Sequence, residues 1–81
     1  MNDSKMKYVA FDGYIGEQII VFPAKIQHLD FANSVSRMSF GSMNAISGGF
    51  VAGGKCYGKS ISLRMESRGD LDTALLEKLK G

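Results

Sequence analysis

Ile19-Ile20-Val21-Phe22, closed by Pro23, is the segment that most limits what this chain can become. Three β-branched residues followed by an aromatic favour extended backbone, because branching at Cβ crowds a helical turn but packs well on a pleated surface. Proline ends the run, having no N–H to give to a ladder. A strand over Gln18–Phe22 that is apolar on both faces suits a central place in a sheet. Its neighbour lies just upstream. Lys5–Phe11 alternates Met6, Tyr8 and Ala10 against Lys7, Val9 and Phe11, and Asp12-Gly13 favours the positive φ of a tight turn.

A helix is expected over Lys25–Arg37, where His28, Phe31, Ala32, Val35 and Met38 share one face of the helical wheel. Asn33, Ser34 and Ser36 are mediocre helix formers, so packing has to hold it. Met38–Asn44 reads as a Ser/Gly loop carrying Phe40 and Met43. Ala45–Val51 reads as a strand, with Gly48-Gly49 marking a bulge or a close backbone approach. In Lys59–Glu66, Ile61, Leu63 and Met65 alternate with Ser60, Ser62, Arg64 and Glu66, the pattern of a half-buried strand. Asp70–Lys80 is the strongest helix, with Leu71, Ala74, Leu75 and Leu79 as its apolar stripe. Asp70 serves as N-cap, Asp72 adds first-turn charge, Lys78 and Lys80 close the far end, and Gly81 stands at C′.

The order β-β-α-β-β-α, with hairpin-length links inside each strand pair, implies an α+β fold. The expected form is a mostly antiparallel four-stranded sheet with one or two helices on one face. Residues 1–4 form a flexible arm and 5–81 a single domain. At 81 residues the chain buries roughly 60–65% of its unfolded surface, which leaves a thin core.

Several function classes fall away on composition. No apolar run approaches the roughly 18–20 residues of a membrane span, and Met1–Met6 leads into no signal-peptide apolar stretch. One cysteine, Cys56, closes no intrachain disulfide, in keeping with a reducing compartment. The expected location is therefore the cytoplasm, that of the host bacterium if the protein is phage-encoded. A net charge of +2 argues against nucleic acid, which calls for a clearly basic face.

Gly53-Gly54-Lys55-Cys56-Tyr57-Gly58-Lys59-Ser60 matches the phosphate-loop pattern G-x-x-x-x-G-K-[ST] letter for letter. That chemistry needs a helix opening directly from the loop, whose aligned N–H groups and dipole hold the phosphates. The residues that follow, Ile61 to Glu66, have the period of a strand, and the match reads as a decoy. A glycine-rich hairpin connection between Val51 and Ser60 replaces it. Lys55, Lys59, Arg64 and Arg68 still place several cations beside flexible glycine backbone, a combination that can bind a small anion or nucleotide. Arg68-Gly69-Asp70 reads as a turn and helix cap, not as an adhesion signal.

Catalysis needs a nucleophile, a base and a group to orient the base. The single histidine, His28, lies on an apolar helix face and reads as a partly buried ring with a hydrogen-bond partner, not a general base. Asp12, Glu17 and Asp30 show no spacing that would pair them. Cys56 lies near Lys55 and Lys59 but reads as a spectator thiol. One His and one Cys make a poor zinc set. The expectation is a protein that is not an enzyme and takes no cofactor or metal. Phe40, Met43 and Phe50, apolar residues without a clean period, either form an exposed interface patch or close one end of the core. Self-association, as a homodimer, would also stabilise so thin a core.

Ile20-Val21-Phe22-Pro23 through His28-Leu29-Asp30-Phe31-Ala32, Ser47-Gly48-Gly49-Phe50-Val51, Cys56-Tyr57-Gly58-Lys59-Ser60-Ile61-Ser62-Leu63 and Ser67-Arg68-Gly69-Asp70 with Asp72 together resemble short uncharacterised proteins of bacteriophages and prophages. The resemblance implies a setting: a small non-catalytic protein that engages a host component, with a host protein as the expected partner and sequestration of a small anion or nucleotide signal as the alternative.

Overall fold

The computed structural model describes residues 6–13, 16–38 and 43–80. In chain order they form β1 (Met6–Gly13), β2 (Gly16–Pro23), α1 (His28–Met38), β3 (Asn44–Ala52), β4 (Lys55–Tyr57), β5 (Lys59–Ser60), β6 (Met65–Glu66) and α2 (Asp70–Lys80). The first four strands make an antiparallel sheet in the order β2-β1-β3-β4, and β5 pairs with β6 in a separate two-stranded hairpin. The α+β class and the antiparallel four-stranded sheet are those expected from the sequence.

The strand enclosed on both faces is β1. Tyr8, Val9, Ala10 and Phe11 are each at most 1% exposed. Tyr8 and Ala10 pack with Ile19, Cys56 and Leu76 beneath α2; Val9 and Phe11 pack with Phe22, Ala32 and Val35 beneath α1. Each face of the sheet therefore carries one helix, where helices on one face only were expected. The reason lies in β1, whose apolar side chains occupy both parities and so create two cores. The Ile19–Phe22 run, expected at the centre, lies instead at the sheet edge in β2, with Ile20 and Val21 only half-buried.

Lys59–Glu66 is not a continuous strand. It folds into β5, a turn over residues 61–64, and β6. The Ser60 hydroxyl accepts the Leu63 N–H at 3.2 Å, the Ile61 carbonyl accepts the Arg64 N–H at 3.2 Å, and Arg64 takes a left-handed φ of 58°. A serine hydroxyl that offers the backbone a local partner outcompetes the alternating pattern here. Ile61, expected inside, is 84% exposed. No helix opens from the glycines. The fourth strand of the sheet is β4, joined to β3 by Gly53-Gly54, whose φ values of 58° and 79° suit a two-residue turn between the paired Ala52 and Lys55.

α2 is turned from its expected setting. Leu71 and Leu79 are each 64% exposed, while Asp72 and Leu76 are buried. Asp72 accepts hydrogen bonds from the Tyr8 hydroxyl, the Arg68 N–H at 2.9 Å and Arg68 Nε at 2.8 Å. Those bonds draw Asp72 into the sheet and rotate the leucine stripe outward. Arg68 also reaches Glu17 at 3.1 Å, tying the start of α2 to β2.

Candidate functional site

Three glycines shape a cleft on the α1 face of the sheet. Gly53-Gly54 returns β4 along β3, so that Phe50 and Tyr57 stand opposite one another with ring centroids 6.0 Å apart. Gly58, at φ 81°, then turns the chain across the Phe50 ring; a Cβ there would lie 3.2 Å from Phe50 Cδ2. The chain continues into the β5–β6 turn, which is tied to α1 by the Leu29 N–H donating to Ser62 Oγ at 3.2 Å. Between these walls is a cleft of about 690 Å³.

Its floor is aromatic. His28 stands edge-on to Phe22 and to Phe50, at centroid distances of 5.5 and 5.8 Å. His28 Nε2 lies 2.8 Å from the Gly49 carbonyl, an acceptor only, so Nε2 carries the proton. Burial lowers the His28 pKa, the Gly49 bond opposes this, and nearby Lys7 adds to the lowering. The ring is a neutral wall of the cleft. The depressed pKa has a consequence for stability. The unfolded chain takes up the proton first, so stability is full above about pH 6.5 and falls as pH drops toward the folded value. Chemical denaturation at stepped pH should show this loss setting in as pH falls below about 6.5 in the native chain, and a flatter profile in His28→Asn.

The rim is cationic. Lys7 of β1 donates from Nζ to the Ile26 carbonyl at 2.9 Å, and Lys59, exposed, lines the same cleft. Gln27, Ser60 and Ser62 add polar atoms, Ile61 and Tyr57 add exposed apolar surface, and among the described residues no carboxylate lines the space.

Of the four cations singled out in the sequence, the fold brings only Lys59 to this cleft. Lys55 lies on β4 away from it, Arg64 holds the left-handed corner of the β5–β6 turn, and Arg68 is engaged on the other face with Asp72 and Glu17. The Phe40/Met43/Phe50 group is not gathered into one patch. Met43 packs onto the Val9/Phe11 core, Phe50 lines the cleft half-buried, and Phe40 lies outside the described residues. Sequence reading missed Lys7, Gln27 and Tyr57. Tyr57 had a local signal, an aromatic beside the glycine that turns the chain; Lys7 joins it only through β1–β3–β4 pairing across fifty positions.

The other buried polar cluster holds the fold. Burial raises the Asp72 pKa, but hydrogen bonds from Tyr8 and Arg68, with the Ser47 hydroxyl close by, outweigh it and hold the carboxyl below its usual range. The Ser47 hydroxyl faces that carboxyl without reaching full hydrogen-bond geometry. Burial and the Asp72 charge push the Cys56 thiol up, away from a reactive thiolate. Among the described residues, no three His, Cys, Asp or Glu side chains are grouped to hold a metal ion, and no helix is long and apolar enough to cross a membrane. No family model, curated protein or solved structure matches the chain.

Proposed function

We propose that this protein is a binding module without catalysis of its own, and that its cleft captures a small anionic molecule carrying a flat ring, of the nucleotide class. One observation carries the reading: two lysines and three aromatic rings line a single cleft that has no acid among its described residues. An exposed Tyr57 face and the neighbouring Phe50 suit stacking of a ring, which is worth about 1–3 kcal/mol per base where measured. Lys59 and Lys7 suit a phosphate or carboxylate at the lip, where a hydrogen bond to a charged group contributes about 1.5–3 kcal/mol. The resemblance to phage proteins supports a host nucleotide as the occupant, and the host cytoplasm as the place.

Thermal unfolding across a panel of mononucleotides and inorganic phosphate tests this. A ligand at a hundred times its Kd stabilises by about 2.7 kcal/mol, a rise in Tm that is easily read. Lys59→Ala and Tyr57→Ala should each weaken binding about tenfold or more, with little change in the stability of the free protein because both side chains are exposed. No shift with any member of the panel ends the reading. Engagement of a host protein is a second reading, favoured by the exposure of Ile61 and Leu71. Retention of a defined host protein by the native chain, lost in Ile61→Glu or Leu71→Glu, would support it, and an empty pull-down would remove it.

A further inference from the structure

β2 has the composition of a strand enclosed on both sides, yet it stands at the edge of the sheet. Natural edges are blunted by lysines, internal prolines or bulges. β2 has none of these: its proline is its last residue, it contains no lysine, and its eight pairs with β1 run without a register shift, unlike those between β1 and β3. The opposite edge, β4, is only three residues long. Among the described residues nothing pairs with the outer side of β2.

We propose that a second copy of the chain pairs with this edge, antiparallel about a two-fold axis through Ile20, joining two four-stranded sheets into one of eight. The pleat restricts the register. Alternate residues of an antiparallel edge strand point their N–H and C=O outward, and two copies bond only when outward residues meet outward residues. Centring on Ile20 satisfies this and sets Ile19 against Val21, Ile20 against itself, Gln18 against Phe22 and Glu17 against Pro23. Centring on Ile19 would also satisfy the pleat, but it sets Gln18 against Ile20 and Glu17 against Val21. Apolar matching therefore favours Ile20. Glu17 is the one charge on β2, so no like charges meet across the pairing.

A groove supports the same arrangement. Between β2 and α2 lies a space of about 400 Å³ lined by Ile19, Leu75 and Leu79 with Glu17, Gln18 and Lys78 around them. Opposed residues share a face, so Val21 of the second copy would stand beside Ile19 and enter that space. It would cover part of Leu79, which is 64% exposed in the single chain. The interface is separate from the cleft, and either proposal can fail without the other.

Cysteine cross-linking tests the register. Directly opposed Cα atoms in an antiparallel pair lie about 4.5–5.5 Å apart, within the roughly 4.4–6.8 Å span of a disulfide. Ile20→Cys should therefore form a covalent dimer under mild oxidation. Gln18→Cys should not, because the two positions 18 would be four residues apart along the strand, roughly 14 Å at 3.4 Å per residue. In the native chain, light scattering should give twice the single-chain mass, and alternate β2 amides should exchange more slowly as concentration rises. A single-chain mass up to the solubility limit, or cross-linking of Gln18→Cys as readily as Ile20→Cys, overturns the proposal.

Discussion

Asp72→Ala should remove a large share of the protein's stability at 25 °C. Asp72 is fully buried in the first turn of α2 and gathers the Tyr8 hydroxyl together with the backbone and guanidinium of Arg68. Removing one partner of a buried, hydrogen-bonded charge pair costs about 3–5 kcal/mol, since the remaining groups stay desolvated without it. At about 0.05–0.15 kcal/mol per residue, a domain of this size has only about 4–12 kcal/mol in total. The neighbouring substitutions should be graded. Tyr8→Phe removes one neutral donor and should cost about 1–2 kcal/mol. Glu17→Gln removes a largely solvated ion pair and should cost at most about 1 kcal/mol. Urea denaturation of the three variants reads this order directly. An Asp72→Ala midpoint no lower than that of Glu17→Gln would show that the cluster does not hold α2 to the sheet. The acid limb should agree: with its folded pKa depressed, Asp72 contributes stability above its unfolded value near pH 4, and this is lost as pH falls through the folded value.

Gly49→Ala is the second large effect. A Cβ at this position would lie 2.4 Å from the Tyr57 carbonyl oxygen and 3.3 Å from Ser67 Cβ. The obstacle is backbone at the end of β4, which the Phe50–Tyr57 pairing holds in place, so no rotamer change relieves it. Overpacking of this kind costs typically about 1–3 kcal/mol, and a clash with backbone belongs at or above the upper end. Pushing β4 away also parts Tyr57 from Phe50, so ligand binding should fall even where the fold survives. Gly48→Ala is the control. Its Cβ would meet Leu63, the Tyr8 carbonyl and His28 at 3.4–3.5 Å, close to ordinary contact, and the loss should stay below about 1 kcal/mol. Equal losses in the two variants would contradict the close-approach account.

The elements that sequence patterns disclose are those governed by local chemistry. Gly53-Gly54 and Pro23 mark a turn and a strand end because glycine and proline act on their own backbone, whereas Asp12-Gly13, expected to be a positive-φ turn, is still paired strand opposite Glu17 and Gly16. Gly48-Gly49 was readable as a close approach for the same reason. What patterns do not disclose is which strand lies inside. Both Tyr8–Phe11 and Ile19–Phe22 are apolar on both parities, and only the partnership of β1 with β3 decides between them. Alternation in Lys59–Glu66 misleads because a serine hydroxyl and a left-handed arginine close a turn that leaves no glycine as a sign. The stripe of α2 misleads because a buried aspartate, not a leucine, sets its rotation. Of the residues singled out in the sequence as binding candidates, Lys59 and Phe50 reach the site. Its other members come from β1, the approach to α1 and β4, and no spacing along the chain joins them.

On the proposed reading, the cleft between Lys7 and Lys59 is where this protein meets its ligand. Titrating the isotopically labelled chain with mononucleotides while following its amide signals tests that most directly. Saturable shifts should cluster at Lys7, His28, Phe50 and Tyr57–Ser62, and Tyr57→Ala together with Lys59→Ala should abolish them. Shifts confined to Arg68 and the start of α2, or none with any nucleotide, would contradict it.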